Sequence, residues 1–176
     1  MSQSVKSQPN SKEGSLKAKE VYSISNFDLS RHHCETAVIK CVDFRFRKED
    51  QDFVADRGWP EADLLCWPGG ASALADGQVM ADQIVSTIRQ VCCQLHQVKR
   101  VVILSHWDCG AYKQAYRFAS DQEQEEILQR DLMKAKRLLK SQLPQLEVVL
   151  SYSKWVDGRL SYFILDEVED GVLVAA

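Results

Sequence analysis

The chain has 176 residues, of which 45% are hydrophobic and 27% are charged, and its formal net charge is −3 at pH 7. These values are typical of one globular domain, and the small negative charge gives no broad attraction to nucleic acid or to an anionic membrane surface. No apolar stretch approaches the roughly 20 residues that a membrane-spanning helix needs.

The cysteines and the first residues of the chain predict a cellular location and a domain boundary. Six cysteines without a secretory signal favour a reducing compartment, so we expect a cytoplasmic protein whose cysteines bind metal or catalyse. The segment before the first apolar run is rich in Ser, Gln and Lys, which is typical of a mobile tail. We therefore expect a tail over residues 1–30 and a single α/β domain over residues 31–176.

Apolar runs alternate with amphipathic segments through the predicted domain, and turn residues separate them. In chain order we expect a strand at 36–42, a helix at 47–57, a strand at 62–67, a long helix at 78–97, a strand at 100–105, helices at 110–119 and 122–142, and strands at 146–152 and 160–165.

This alternation predicts an α/β fold with a mostly parallel sheet of four to five strands flanked by helices. We expect the strand order 2-1-3-4-5. The last two strands are separated only by the turn at Asp157 and Gly158, so the fifth is predicted to be an antiparallel edge.

Two short motifs, CVDFR at 41–45 and HWDCG at 106–110, follow the first and third predicted strands. In this strand order, the crevice outside the carboxyl ends of strands one and three is the expected site of an α/β sheet. Cys41, His106 and Cys109 should therefore converge there. Two thiolates and one imidazole bind zinc and leave one tetrahedral position open, which is typical of a catalytic zinc.

Asp43 decides whether that position stays open. The carboxylate could occupy the fourth position, giving a closed, non-catalytic zinc-binding domain. Alternatively, a bidentate pair with Arg45 could hold it off the metal, where it would orient a reacting oxygen. Side-chain alternation along an extended segment would put Cys41, Asp43 and Arg45 on one side of the chain.

A second enzymatic interpretation concerns the same first motif. Cys41 and Arg47 have the spacing of the phosphate loop of cysteine phosphatases, in which a thiolate is the nucleophile. The intervening residues contain no glycine, Asp43 would repel phosphate, and His106 and Cys109 would have no role.

The remaining polar and sulfur-containing candidates have simpler interpretations. Asp108 is expected to cap a helix, His96 to lie on the surface, and the segment 32–34 to be an exposed loop. The cysteines expected to be core residues are Cys66, Cys92 and Cys93.

The two motifs resemble those of the β-class carbonic anhydrases, which carry Cys-x-Asp-x-Arg after the first strand and His-x-x-Cys-Gly after the third. The resemblance covers about residues 36–168, including the PGG turn and the VLSYSK strand. It implies one Zn²⁺ per chain on Cys41, His106 and Cys109, a catalytic pair of Asp43 and Arg45, and a homodimer or a multiple of dimers. The implied reaction is reversible hydration of CO₂ to bicarbonate by zinc-bound hydroxide.

Two departures from that family lie near the expected substrate pocket. Phe44 stands where the family usually has a small polar residue, and CWPGGAS at 66–72 replaces an Arg-Asn-Ala-Gly-like run. Phe44, Trp67 and Trp107 would suit an apolar linear substrate, which describes CO₂ as well as carbonyl sulfide and carbon disulfide. Since relatives with the same zinc motif hydrolyse carbonyl sulfide or carbon disulfide, that activity is an alternative.

Overall fold

The computed structural model describes residues 18–77 and 79–165, and the chain divides into two units, Met1–Arg31 and His32–Ala176. In the first unit, residues 18–31 form no helix or strand and are exposed. The Ser30 backbone N–H donates to the Asp28 carboxylate at 2.9 Å. Residues 1–17 of the predicted tail lie outside the described part, and the boundary after residue 30 stays a prediction.

The second unit contains one sheet, whose five described strands are β1 (Thr36–Lys40), β2 (Ala62–Cys66), β3 (Arg100–His106), β4 (Glu147–Val156) and β5 (Arg159–Leu165). Their order is β2-β1-β3-β4-β5, and only the pairing of β4 with β5 is antiparallel among these strands. The predicted α/β fold, strand order and antiparallel edge are therefore confirmed. Every residue of β1 is buried, as expected for a parallel strand covered on both faces.

The helices are α1 (Arg47–Asp56), α2 (Ser72–Ala75), α3 (Val79–Thr87), α4 (Gly110–Ala115) and α5 (Asp121–Gln142). A 3₁₀ turn at Phe44–Phe46 precedes α1, and α3 continues into π-helix at Ile88–Cys93. The helix predicted at 78–97 is thus shorter than expected and changes from α-helix to π-helix after Thr87. Position 78 lies outside the described residues. No helix within the described residues is long and apolar enough to cross a membrane.

Two boundaries differ from the predictions for local reasons. Helix α4 ends at Ala115 rather than at 119, because Tyr116 takes an extended conformation with φ −129° and ψ 146°. Helix α2 was not predicted, since a helix of four residues after two glycines is too short for a periodic pattern.

Apolar side chains of the central strands alternate between two cores. Ala37 and Ile39 of β1 face the larger core, whose helical members come from α2, α3 and α5. Val38 faces the smaller core, formed with Val54, Val102 and Leu104. Helices pack on both faces of the sheet, and the two sequence motifs follow the carboxyl ends of β1 and β3.

A buried ion pair fixes α1 to the end of β1. Lys40 Nζ lies 2.5 Å from Asp50 Oδ2, and the two side chains are only 10% and 6% exposed. The Tyr162 hydroxyl donates to Asp50 Oδ1 at 2.8 Å. The Asp50 carboxylate is therefore held by two elements of the sheet, β1 and β5.

Replacing Lys40 by methionine should lower the free energy of unfolding by about 3–5 kcal/mol, because Asp50 would remain buried without its counterion. The double variant Lys40→Met/Asp50→Leu should lose much less, since it buries no unpaired charge. Urea unfolding measures both. Equal losses in the two variants would contradict this account, and Lys48→Met in the exposed pair with Asp52 should change little.

Candidate metal centre

Cys41, His106 and Cys109 meet at the carboxyl ends of β1 and β3. Cys41 directly follows β1, His106 ends β3, and Cys109 precedes the first residue of α4. All three residues are buried, and their potential ligand atoms lie within 4.8 Å of one another. The predicted convergence of these residues is confirmed. His106 and Cys109 lie beside Cys41, whereas the phosphate-loop interpretation gives these two residues no role.

The imidazole of His106 is oriented to offer one nitrogen lone pair. Its Nδ1 lies 2.8 Å from the Trp107 carbonyl oxygen, and because a carbonyl only accepts, Nδ1 must carry the hydrogen. In the neutral ring Nε2 then carries the lone pair, and it is buried without a hydrogen-bond partner in the described part of the chain. A histidine held through one nitrogen and orphaned at the other is the arrangement of a metal ligand.

The two sulfur atoms have the spacing that a tetrahedral zinc requires. The Sγ atoms of Cys41 and Cys109 are 3.8 Å apart, and both cysteines are free. A disulfide would need about 2.05 Å, whereas two thiolates at Zn–S distances of about 2.3 Å lie about 3.8 Å apart in a tetrahedron. The donor set and its spacing therefore fit zinc.

The two thiols change each other's pKa. A hydrogen bond from Cys109 lowers the pKa of Cys41, and the same contact raises the pKa of Cys109. The backbone N–H of Gly69 also donates to Cys41 Sγ at 3.3 Å. These contacts favour the thiolate form of Cys41, which is the form that binds a metal.

Asp43 is held by Arg45 in a bidentate pair. The Arg45 Nη2 donates to Asp43 Oδ2 at 2.7 Å, and Nε lies 3.1 Å from both carboxylate oxygens. The hydrogen bond from Arg45 lowers the pKa of Asp43 to about 2, so the carboxylate is ionised throughout the neutral range. Its Oδ2 lies 3.9 Å from Nε2 of His106, which places the pair beside the candidate ligands.

The local conformation that makes this pair differs from the predicted one. Residues Phe44–Phe46 form a 3₁₀ turn rather than an extended segment. Asp43 is its N-cap residue, and the Asp43 carboxylate accepts the Arg45 backbone N–H at 3.0 Å. Capping by the carboxylate thus stabilises the turn and brings the guanidinium back onto the same group.

Asp108 anchors the other side of the Arg45 guanidinium. Arg45 Nη1 donates to Asp108 Oδ2 and Nη2 donates to the Asp108 carbonyl, both at 3.2 Å. Lys113 also pairs with the Asp108 carboxylate. The prediction that Asp108 caps a helix is wrong, because Cys109 is the N-cap of α4 and no side chain caps it.

The loop after β2 was expected near the substrate pocket, whereas the contact of Phe46 with His106 was missed from the sequence. The loop after β2 passes against Cys41, and a Cβ built on Gly70 would lie 3.2 Å from both the Cys41 nitrogen and the Leu104 oxygen. The Phe46 ring packs on the His106 ring with centroids 4.1 Å apart. The consecutive glycines were a visible signal for a turn, but nothing in the sequence marks Phe46.

The other candidate residues have mixed outcomes. Among the cysteines, Cys92 is buried as predicted, Cys34 and Cys93 are half-buried, and Cys66 is exposed, so the core prediction for Cys66 is wrong. His96, predicted on the surface, is half-buried.

The three expected pocket aromatics occupy different environments. Phe44 is 83% exposed. Trp67 packs against the larger core, whereas Trp107 packs against the cluster that contains Cys41 and Cys109.

A cavity of about 540 Å³ opens beside the site. Cys41 and Asp43 line one part of it, and Phe44, Val54 and Leu64 contribute apolar walls. Its lining includes neither His106 nor Cys109, so the cavity meets the group of three candidate ligands at Cys41.

Comparison with known proteins gives both a family and relatives. Residues 31–162 match the family model described as "Putative carbonic anhydrase". An uncharacterized protein of Rickettsia bellii is 28% identical, with 71% of this chain and 83% of that protein covered. An uncharacterized protein of Rickettsia conorii is 30% identical, with 71% and 70% covered.

A solved structure is also similar in fold. The carbonic anhydrase from Glaciozyma antarctica has a TM-score of 0.47 and 16% identity, and the match covers 78% of this chain and 86% of that one.

Gly70→Ala should destabilise the fold more than Gly77→Ala. Both glycines have positive φ, of 52° and 62°, so both variants carry the left-handed backbone cost of about 1–2 kcal/mol. Only the Gly70 Cβ would meet backbone atoms, whereas nothing lies within 4 Å of the Gly77 Cβ. Urea unfolding should show the larger loss for Gly70→Ala, and equal losses would contradict the close approach at Cys41.

Proposed function

Because this chain belongs to the carbonic anhydrase family whose model it matches over residues 31–162, we propose that it hydrates CO₂ reversibly to bicarbonate in a zinc-dependent reaction. One observation carries the proposal. Cys41, His106 and Cys109 converge within 4.8 Å, and an ionised carboxylate tied to an arginine stands beside them.

We assign the three converging side chains as the zinc ligands, one Zn²⁺ per chain in this site. When bound, zinc supplies a Lewis acid that lowers the pKa of a coordinated water to about 7. The two cysteine thiolates supply the two negative charges that balance the cation, and the imidazole binds as a neutral ligand. Hydrogen bonds from the Gly69 N–H to Cys41 and from His106 Nδ1 to Trp107 hold two of the ligands in place.

Asp43 accepts a hydrogen bond from the reacting water and thereby directs the oxygen toward the CO₂ carbon. Both carboxylate oxygens are engaged by Arg45, so the group cannot rotate freely. The engagement by Arg45 also disfavours movement of the carboxylate onto the metal. Arg45 is a positioning residue in this account, and its contacts with Asp108 fix the guanidinium itself.

The proton released by hydration passes to solvent rather than to a side chain of the site. Asp43 cannot store it, because its pKa of about 2 keeps it ionised at neutral pH. Tyr112 is buried, and burial raises the pKa of its hydroxyl well above the usual range. His96 precedes β3 at the amino ends of the parallel strands, whereas the zinc ligands lie at their carboxyl ends.

We further propose a homodimer, or a multiple of dimers, in the cytoplasm. Exposed apolar side chains border the cavity at Val42, Phe44 and Leu64. A second copy of the chain could cover these side chains, which would otherwise leave an apolar surface in water.

Stopped-flow measurement of CO₂ hydration on zinc-loaded protein tests the proposed activity, with carbonyl sulfide and carbon disulfide hydrolysis measured in parallel. Turnover of CO₂ with no comparable hydrolysis of the sulfur analogues is the expected result. A fully zinc-loaded protein that is inactive on CO₂ from neutral to alkaline pH would overturn the proposal. Activity confined to a sulfur analogue would instead identify the alternative substrate class.

Asp43→Ala should keep its zinc and lose CO₂ hydration by about a hundredfold or more, as expected when the group that orients the reacting oxygen is removed. Metal analysis and stopped-flow kinetics on the same preparation separate the two effects. Asp52→Ala, in an exposed pair on α1, is the matched control and should retain full activity. Full activity in Asp43→Ala would refute the assigned role.

Cys109→Ser should lose one equivalent of zinc relative to the unmodified chain and should lose CO₂ hydration, because a serine hydroxyl stays protonated and is a poor zinc ligand. Metal analysis after gel filtration measures this loss. Cys66→Ser, which changes an exposed cysteine outside the three-residue group, should keep the original zinc content. Unchanged zinc in Cys109→Ser would remove Cys109 from the ligand set.

A further inference from the structure

A second group of potential metal ligands lies at the amino ends of the parallel strands. Cys34 precedes β1, Asp63 belongs to β2, and His96 precedes β3. Their sulfur, oxygen and nitrogen atoms lie within 4.8 Å of one another. The group therefore joins three separate segments of the chain at one point.

The three side chains are held together by contacts that do not need an ion. His96 Nδ1 lies 2.8 Å from Asp63 Oδ1 and 3.0 Å from Oδ2. The Cys34 backbone N–H donates to the His96 carbonyl at 2.9 Å. The Cys34 thiol donates weakly to the Thr36 carbonyl at 3.5 Å. These contacts hold the three side chains close together before an ion binds, which lowers the entropic cost of binding.

The burial of these groups is intermediate, which suits an ion that enters from solvent. The side chains of His96 and Asp63 are 35% and 21% exposed. Asp63 is paired with Ala37 of β1, and Ala37 faces the larger core. Cys34 packs against that core. A carboxylate at the margin of an apolar core is costly unless a charged partner compensates it.

Cys92 is a buried thiol next to this group. Burial and the neighbouring Asp63 carboxylate raise the pKa of Cys92 to about 12. The raised pKa disfavours the thiolate form that binds metals, so Cys92 is not counted among the ligands.

We propose that Cys34, Asp63 and His96 form a second metal site that binds Zn²⁺. A thiolate, an imidazole and a carboxylate are all established zinc donors, and in a tetrahedral site such atoms lie about 3.3–3.6 Å apart. The present 2.8 Å contact between His96 Nδ1 and Asp63 Oδ1 is a hydrogen bond. When a cation binds between these two atoms, the imidazole hydrogen moves to Nε2 and the two atoms separate slightly. Binding also releases the proton of the Cys34 thiol.

This site is separate from the first one and does not act on the reacting atoms. The seven residue steps from Cys34 to Cys41, largely along β1, correspond to about 23 Å at ~3.3 Å per residue. A cation bound here instead clamps the start of β1 to β2 and to the segment that enters β3. Its role is to stabilise the amino ends of the central strands.

Metal counting on the full chain tests the proposal. After dialysis against micromolar free zinc, the unmodified protein should hold one more zinc per chain than Cys34→Ser. Cys93→Ser, which alters a half-buried cysteine outside the group, should match the unmodified protein. Equal zinc in the unmodified protein and Cys34→Ser, or occupancy only at millimolar zinc, would overturn the proposal.

Cys109→Ser separates this result from the proposed function. It lacks a ligand of the first site and should still hold one zinc per chain, which the further change Cys34→Ser should remove. A Cys109→Ser protein that holds no zinc would contradict the second site, whatever the state of the first.

Alkylation of the unmodified chain gives a measurement that does not depend on variants. Zinc should slow iodoacetamide modification of Cys34 at least tenfold, as followed by peptide mass spectrometry, and leave exposed Cys66 unchanged. An unchanged rate at Cys34 would count against the site even if a variant failed to fold.

Discussion

β1 and β3 pair in parallel with Lys40 opposite Leu104, so the chain leaves both strands at the same edge of the sheet. Cys41 lies one residue beyond Lys40, and His106 lies two residues beyond Leu104, so this pairing brings Cys41 and His106 together. Because side chains alternate along a strand, a slip of one residue would turn one ligand toward the opposite face. The glycine loop after β2 completes the arrangement, since a Cβ at Gly70, whose φ is 52°, would lie only 3.2 Å from the backbone nitrogen of Cys41.

Charge at the site is organised around Arg45. Its guanidinium binds the Asp43 carboxylate on one side and Asp108 on the other, and Lys113 neutralises Asp108 further. Arg45 thus keeps Asp43 ionised and oriented, while the sulfur atoms and the imidazole stay available for a cation. The same pair decides between an open zinc position, which supports hydration of CO₂, and a closed one, which would make the domain non-catalytic.

The sequence was sufficient for the features that depend on local patterns. Apolar runs and turn residues predicted the strands. The two motifs at strand ends, together with the expected strand order, predicted the meeting of Cys41, His106 and Cys109. The 3₁₀ turn at Phe44–Phe46 was missed because it depends on a cap from Asp43. The meeting of Cys34, Asp63 and His96 was missed because it depends on approaches between distant segments, and His96 alone looked like a surface residue.

The most direct test is a crystal structure of the zinc-loaded protein at neutral and at alkaline pH, with anomalous scattering measured at the zinc edge. The account predicts a peak bonded to Cys41 Sγ, Cys109 Sγ and His106 Nε2, with Asp43 still paired to Arg45 and off the metal. The absence of a peak at these three atoms, or an Asp43 carboxylate bound to zinc at both pH values, would contradict it.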